Sequence, residues 1–171
     1  MRGYVQVYTG DGKGKTTAAI GLSVRAAGAG LRVYIAQFAK GAASSELAAL
    51  ESLSNRITVV RHGRGSFIRG RPEPEDVRLA QEGLAQARQA MRSGDYEVII
   101  LDEANVAIHF GLFSAEDLLG FIDDKPEEVE LVITGRRADP RVIDRADLVT
   151  EMREVRHYYQ KGVAARPGIE E

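Results

Sequence analysis

Residues 4–28 read YVQVYTGDGKGKTTAAIGLSVRAAG: a short apolar run, a glycine-rich loop and a helical pattern. The six residues Gly10–Lys15 hold three glycines and two lysines. A strand that turns through such a loop straight into a helix is the opening of an α/β unit. The alternation continues along the chain. Strand-like runs stand at 4–8, 32–38, 57–62, 96–103, 129–134 and 147–152. Several are continuously apolar, as central strands buried on both faces require. Helical patterns lie between them at 15–28, 45–54, about 74–93, about 114–123 and about 139–145. Pro72 and Pro74 precede a run with acidic residues in its first turn, and Ser114 with Asp117 three positions on reads as a helix start. The expectation is one α/β domain over 1–171, with a mostly parallel sheet of about six strands and helices on both faces. Periodicity fades from about 152, where an extended tail packed on the domain is expected.

The loop follows the phosphate-binding pattern G-x-x-x-x-G-K-[ST] in its second half, Gly14-Lys15-Thr16, while Thr9 stands at the first glycine position. Small residues let consecutive backbone N–H groups converge on an anion. The helix beginning near Lys15 adds its unpaired N–H groups and its positive dipole end. Lys15 supplies a charge, and the Thr16 hydroxyl is placed to ligate Mg²⁺. Asp11 is the odd residue, since a carboxylate beside a triphosphate repels it unless it faces away or meets the metal. A P-loop nucleotide-binding fold is therefore expected.

Asp102-Glu103 ends the run EVIILDE, a strand-end acidic pair suited to reach Mg²⁺ or its water shell. Asn105 follows and could add a hydrogen bond. Thr134-Gly135-Arg136 closes another buried run. Its arginine either meets phosphate oxygens or is solvated in a turn. His62, His109 and His157 have no metal-ligand spacing and read as packing or surface residues. The stretch RHGRGSFIRGRPEP at 61–74 is either a substrate loop or a solvated connection. Its four arginines suit an anionic ligand, and Phe67 and Ile68 suggest contact with something large and flat.

Composition narrows the chemistry. The formal net charge is −2, so no global basic field argues for nucleic acid. The chain has no cysteine, which excludes disulfides, a thiolate nucleophile and cysteine-ligated metal sites. No apolar run approaches the roughly 20 residues that span a bilayer. The first strand-like run begins at once, leaving no room for a signal peptide, and a cytoplasmic protein is expected.

TGDGKGKTTAAIGLSVRAAGAGLRVYIAQFAKG resembles the start of the P-loop class of ATP:corrinoid adenosyltransferases. So do VIILDEANVAIHFGL, VITGRRADPRVIDRADLVTEM and the ending KGVAARPGIE, blocks that together cover nearly the whole chain. The resemblance implies transfer of the 5′-deoxyadenosyl group of ATP to the Co(I) of a reduced corrinoid, with release of triphosphate. It implies that Thr9, Gly10, Asp11, Gly12, Lys13, Gly14, Lys15, Thr16 and Thr17 form the triphosphate site. Lys15, Thr16 and Glu103 would carry the catalytic load. Thr16 with Asp102 or Glu103 would handle Mg²⁺ or Mn²⁺, Arg136 would steady phosphate, and Phe67 and Ile68 would face the corrinoid. It further implies a homodimer and a separate electron donor, such as a flavodoxin-like reductase. Co(I) is itself a strong nucleophile, so such a protein needs no activated serine or general base. Positioning and charge neutralisation suffice.

The sequence departs from the family pattern in three places. Asp11 stands where the family often has asparagine. The chain is expected to lack the N-terminal extension of longer members. Ser66 and Ile68, with Phe67 between them, occupy the positions of two aromatics near the lower face of the corrin. Two other functions share the loop and the acidic pair: a phosphate-cleaving P-loop NTPase or phosphotransferase, and a non-catalytic protein that binds ATP and corrinoid.

Overall fold

The computed structural model describes residues 2–39, 45–64 and 70–170. Six strands form one all-parallel sheet: β1 (Val5–Thr9), β2 (Val33–Phe38), β3 (Ile57–His62), β4 (Val98–Asp102), β5 (Glu130–Thr134) and β6 (Leu148–Glu151). Their spatial order is β3-β2-β4-β5-β1-β6. The connecting helices are α1 (Lys15–Gly28), α2 (Ser45–Glu51), α3 (Pro74–Arg92), α4 (Ala104–His109), α5 (Ala115–Asp123) and α6 (Pro140–Asp144). The expected alternation is present in full. α2 is shorter than the pattern at 45–54 suggested, because its last residues wind into turns with Ser52 N–H bonded to Ala49 O. α4 was not expected. It has six residues, too few for a helical period to show.

Strand residues alternate between two apolar layers. Val7, Phe38, Leu101 and Ile133 point to the side covered by α3, α4 and α5. Ile35, Ile100 and Val132 point to the other, against Ala19 and Ala26 of α1. Parallel register carries this alternation across the sheet. Gln37 pairs with Asp102, and Leu101 with Ile133, so Asp102 stands beside Thr134. Gln37, Asp102 and Thr134 therefore form one row on the α1 face, at the carboxyl ends of three adjacent strands. Polar residues there would be expensive in a core, yet all three are buried.

Two other features shape the same end of the sheet. His62 closes β3 and is buried, stacked on Phe38 with ring centroids 5.6 Å apart. It fits because Gly83 of α3 has no side chain: a Cβ there would lie 2.2 Å from the His62 ring. α3 itself starts on Pro74, with reciprocal capping between Glu73 and Asp76. Arg64 donates to both Asp76 carboxylate oxygens, at 2.8 and 3.0 Å, and to Glu73 at 2.8 Å. Beyond β6 the chain continues as a tail with one 3₁₀ turn, Tyr158–Lys161.

Candidate active site

The loop between β1 and α1 begins with Thr9, which is still extended strand and pairs with Glu151 of β6. The left-handed turn falls on the next residue, Gly10, at φ 93°. This explains why threonine is accommodated at the first glycine position: the conformation that needs glycine lies one residue later. Space enforces the same choice. A Cβ at Gly10 would meet Met152 O at 2.5 Å, and one at Gly12 would meet it at 2.6 Å. The carbonyl of Met152 approaches because Gly12 N–H donates to it at 2.6 Å, while Met152 N–H donates to Thr9 O at 2.8 Å. Gly14, at φ 115°, then turns the chain into α1.

α1 starts without a side-chain cap and without an acidic residue in its first turn. Its N-terminal N–H groups and positive dipole end therefore face the loop, the arrangement that receives an anion. Lys15 is buried, and its ammonium donates to Gly10 O at 2.7 Å and Gly12 O at 2.6 Å. Burial holds its pKa below the ordinary lysine value, and the positive charge of Arg136 adds to that, while Glu103 and Asp11 act in the opposite sense. Asp11, Thr17 and Arg136 are exposed.

Asp102 gathers the row. It is 1% exposed. Its Oδ1 accepts from the Thr16 hydroxyl at 2.9 Å and the Thr134 hydroxyl at 2.7 Å, and its Oδ2 accepts from Gln37 Nε2 at 3.2 Å. Glu103 follows in the left-handed region at φ 62°, with its N–H donating to Thr134 Oγ1 at 2.9 Å. That conformation is rare outside glycine and bends the chain at once into α4, leaving the half-buried Glu103 on the Lys15 side. Gly135, at φ 129°, lets β5 turn away against Asn105, whose Nδ2 donates to Gly135 O at 3.3 Å.

The donor set suits a hard cation. The Thr16 hydroxyl and an Asp102 oxygen are adjacent, and the Oε1 of Gln37, on the same side chain that bonds Asp102, is buried with no partner. All are oxygens, as Mg²⁺ or Mn²⁺ prefers. No group of three or more histidine, aspartate or glutamate residues gathers among the described residues.

The structure thus brings Thr9, Gly10, Gly12, Lys13, Gly14, Lys15, Thr16, Asp102 and Glu103 to one end of the sheet, with Arg136 at its rim. Ser66, Phe67 and Ile68 lie outside the described residues. Gln37 and Met152 belong to the site and were not expected. Gln37 had a faint signal as the lone polar residue in the apolar run VYIAQF. Met152 acts through its backbone, which no side chain advertises.

Comparison with known proteins agrees with this architecture. The family model described as ATP:corrinoid adenosyltransferase BtuR/CobO/CobP matches residues 1–170. A corrinoid adenosyltransferase of Pseudomonas aeruginosa is 35% identical over 170 residues, covering 99% of this chain and 84% of that protein. Corrinoid adenosyltransferases of a Sinorhizobium species and of Escherichia coli K12 are each 31% identical, over 99% of this chain and 80% and 86% of theirs. With a family model spanning the chain and relatives matched over most of their length, the protein belongs to the ATP:corrinoid adenosyltransferase family.

Proposed function

We propose that this chain transfers the 5′-deoxyadenosyl group of ATP to the Co(I) of a reduced corrinoid, releasing inorganic triphosphate, in the formation of adenosylcobalamin-type cofactors. The cobalt electron pair forms the cobalt–carbon bond at C5′. The C5′–O bond breaks, and its electrons leave with the triphosphate. No proton moves in this step, so the protein's part is alignment and charge stabilisation.

The observation that carries the reading is Lys15. It is a buried ammonium lying on the loop carbonyls at the open N-terminus of α1, and its charge is destabilised by burial and by Arg136. A polyanion in the loop relieves that cost. Gly10, Lys13, Gly14 and Thr17 contribute backbone amides and polar surface around the triphosphate, Gly12 holds the shape of the loop with its N–H bonded to Met152 O, and Arg136 approaches from the rim. Thr9 ends β1 and sets the loop's start, and the exposed Asp11 lies within it. Thr16 and Asp102 would hold Mg²⁺ or Mn²⁺, with Glu103 close enough to share its water shell. When bound, the cation neutralises part of the charge on the departing triphosphate. Phe67 and Ile68 would meet the corrinoid, in place of an aromatic pair.

Reduction to Co(I) calls for a separate electron donor, such as a flavodoxin-like protein. A homodimer fits the edge strand β6, whose Leu148 and Val149 are 46% and 42% exposed. A cytoplasmic site fits a chain in which no helix among the described residues is long and apolar enough to cross a membrane. Nucleic acid has no part in this reading.

The test is anaerobic incubation with MgATP and chemically reduced cobalamin, following the spectrum for a light-sensitive cobalt–carbon product while assaying triphosphate. Product with equimolar triphosphate supports the proposal. Release of ADP or phosphate would make the chain a phosphate-cleaving NTPase or phosphotransferase. Bound ATP and corrinoid without product would make it a binding protein.

A further inference from the structure

The adenosyl-transfer chemistry gives the closing block GVAARPGIE no task. In the fold it returns to the loop. The Lys13 ammonium donates to Glu170 Oε1 at 2.8 Å, to Ile169 O at 2.9 Å and to the Tyr158 hydroxyl at 3.2 Å. An ammonium has three donors, and all three are directed at the tail. The Tyr158 hydroxyl also donates to Glu170 Oε1. Arg166 donates to Glu170 through its guanidinium, at 3.1 and 3.3 Å, and through its backbone N–H at 2.9 Å. Glu170 is therefore the hub of the tail, with a side chain 16% exposed in a segment that is otherwise open to solvent.

The loop is gripped at two neighbouring residues. Gly12 is held through its backbone by Met152, where the tail begins, and Lys13 through its side chain by Glu170, where the tail ends. Between the two grips the tail passes through the Tyr158–Lys161 turn and the left-handed Gly162, at φ 80°. Lys13 lies between Gly12, which has no room for a side chain, and Gly14, which stands in the left-handed region at φ 115°. Fixing its side chain thus fixes the concavity into which the amides point.

We propose that Glu170 is a positioning residue for the triphosphate loop, acting through Lys13, so that residues 152–170 form a strap that holds the loop in its binding shape before ATP arrives. The inference rests on the reading that this loop binds the triphosphate of ATP. It assigns Lys13 to the site through its backbone, with the side chain serving the strap. A preorganised loop forgoes the ordering cost that a loose one incurs on binding. The strap therefore bears on ATP affinity more than on the chemical step.

The experiment compares wild type, Glu170→Ala, Glu170→Asp, Lys13→Met and the Lys13→Met/Glu170→Ala pair. In Glu170→Ala the KM for MgATP rises roughly two- to fivefold, the scale of an exposed ion-pair network, with kcat nearly unchanged, and in Lys13→Met the KM rises at least as much. Glu170→Asp recovers part of the loss. The double variant is no worse than the poorer single one, because both remove one interaction. Without nucleotide, trypsin cuts after the exposed Arg156 and Lys161 faster in each alanine or methionine variant than in wild type. An unchanged KM in Glu170→Ala overturns the proposal. So does a lowered KM, which would mean that Glu170 competes with ATP for Lys13. Multiplying losses in the double variant would also overturn it, since Lys13 would then act on phosphate independently. Failure of wild type to bind MgATP would instead defeat the triphosphate reading, and the nucleotide-free proteolysis would still report on the strap.

Discussion

The Thr16 hydroxyl donates to Asp102 Oδ1 across 2.9 Å, joining the first turn of α1 to the end of β4 over 86 residues of chain. This bond couples the glycine-rich loop to the acidic strand end, so a perturbation at Asp102 reaches that loop. In Asp102→Asn the charge is lost, and the new amide faces the Nε2 donor of Gln37. Activity should fall about 10- to 100-fold or more, the cost of disturbing groups that orient a metal. The Mg²⁺ concentration for half-maximal activity should rise. Steady-state rates across a Mg²⁺ titration check both. An unchanged Mg²⁺ dependence would remove Asp102 from the cation's surroundings.

Gly12→Ala isolates the loop's packing against the tail. Its Cβ would lie 2.6 Å from Met152 O and 2.8 Å from Arg153 C, backbone atoms that cannot swing aside. Overpacking of this kind costs about 1–3 kcal/mol. The same change breaks the Gly12–Met152 hydrogen bond. The expected result is at least tenfold weaker MgATP binding by calorimetry, with only a modest drop in melting temperature, because the sheet and both cores are untouched. Equal affinity for the variant would mean that the loop does not need the tail's backbone.

His62 gives the fold a pH dependence. Burial pushes its pKa below the ordinary value of 6.5, and its Nε2 has no partner. The unfolded chain therefore takes up a proton more readily than the native one. This contribution to stability is fully present above about pH 6.5 and is lost as pH falls from there toward the lowered native value. The slope from one such group cannot exceed about 1.4 kcal/mol per pH unit. Denaturant unfolding from pH 7.5 to 5 should show the decline, and His62→Gln should flatten it. A slope that persists in the variant would assign the effect to other groups.

The strap should be insensitive to pH over a wide neutral window. Glu170 is held far below the ordinary carboxylate value, chiefly by Arg166 and then by Lys13 and Tyr158. Lys13 is raised above the ordinary lysine value, first by Glu170 and then by Tyr158. The glutamate's contribution is complete above about pH 4.5 and fails only as acid protonates it. The lysine's is complete below about pH 10.5 and fails only in alkali. Tail cleavage by trypsin at Lys161, corrected for the enzyme's own pH profile, should therefore stay constant from pH 7 to 9. A rise within that range would point to a different anchor.

The sheet was legible because buried parallel strands are written as unbroken apolar runs, and the helices between them carry a clear period. The P-loop was legible because glycine, lysine and threonine at fixed spacing have few other uses. The strand-end pair Asp102-Glu103 was visible, but their division of labour was not. That depends on register, which sets Asp102 in the row with Gln37 and Thr134, and on the left-handed backbone of Glu103, which takes it out of that row toward Lys15. The tail's return to Lys13 was invisible for a different reason. It joins residues 157 positions apart through an ion pair that no periodicity announces. The closing motif is a family mark in the sequence, and its contact with the loop emerges only from the fold.

The central claim is that ATP is cut at C5′ and not at phosphorus. It is tested most directly with ATP carrying ¹⁸O in the bridge between C5′ and the α-phosphorus, turned over anaerobically with reduced cobalamin and read by mass spectrometry. The account predicts that the label leaves entirely with inorganic triphosphate, while the adenosyl group becomes bonded to cobalt. Label retained in ADP, AMP or a free nucleoside would place the cleavage at a phosphorus–oxygen bond and contradict it.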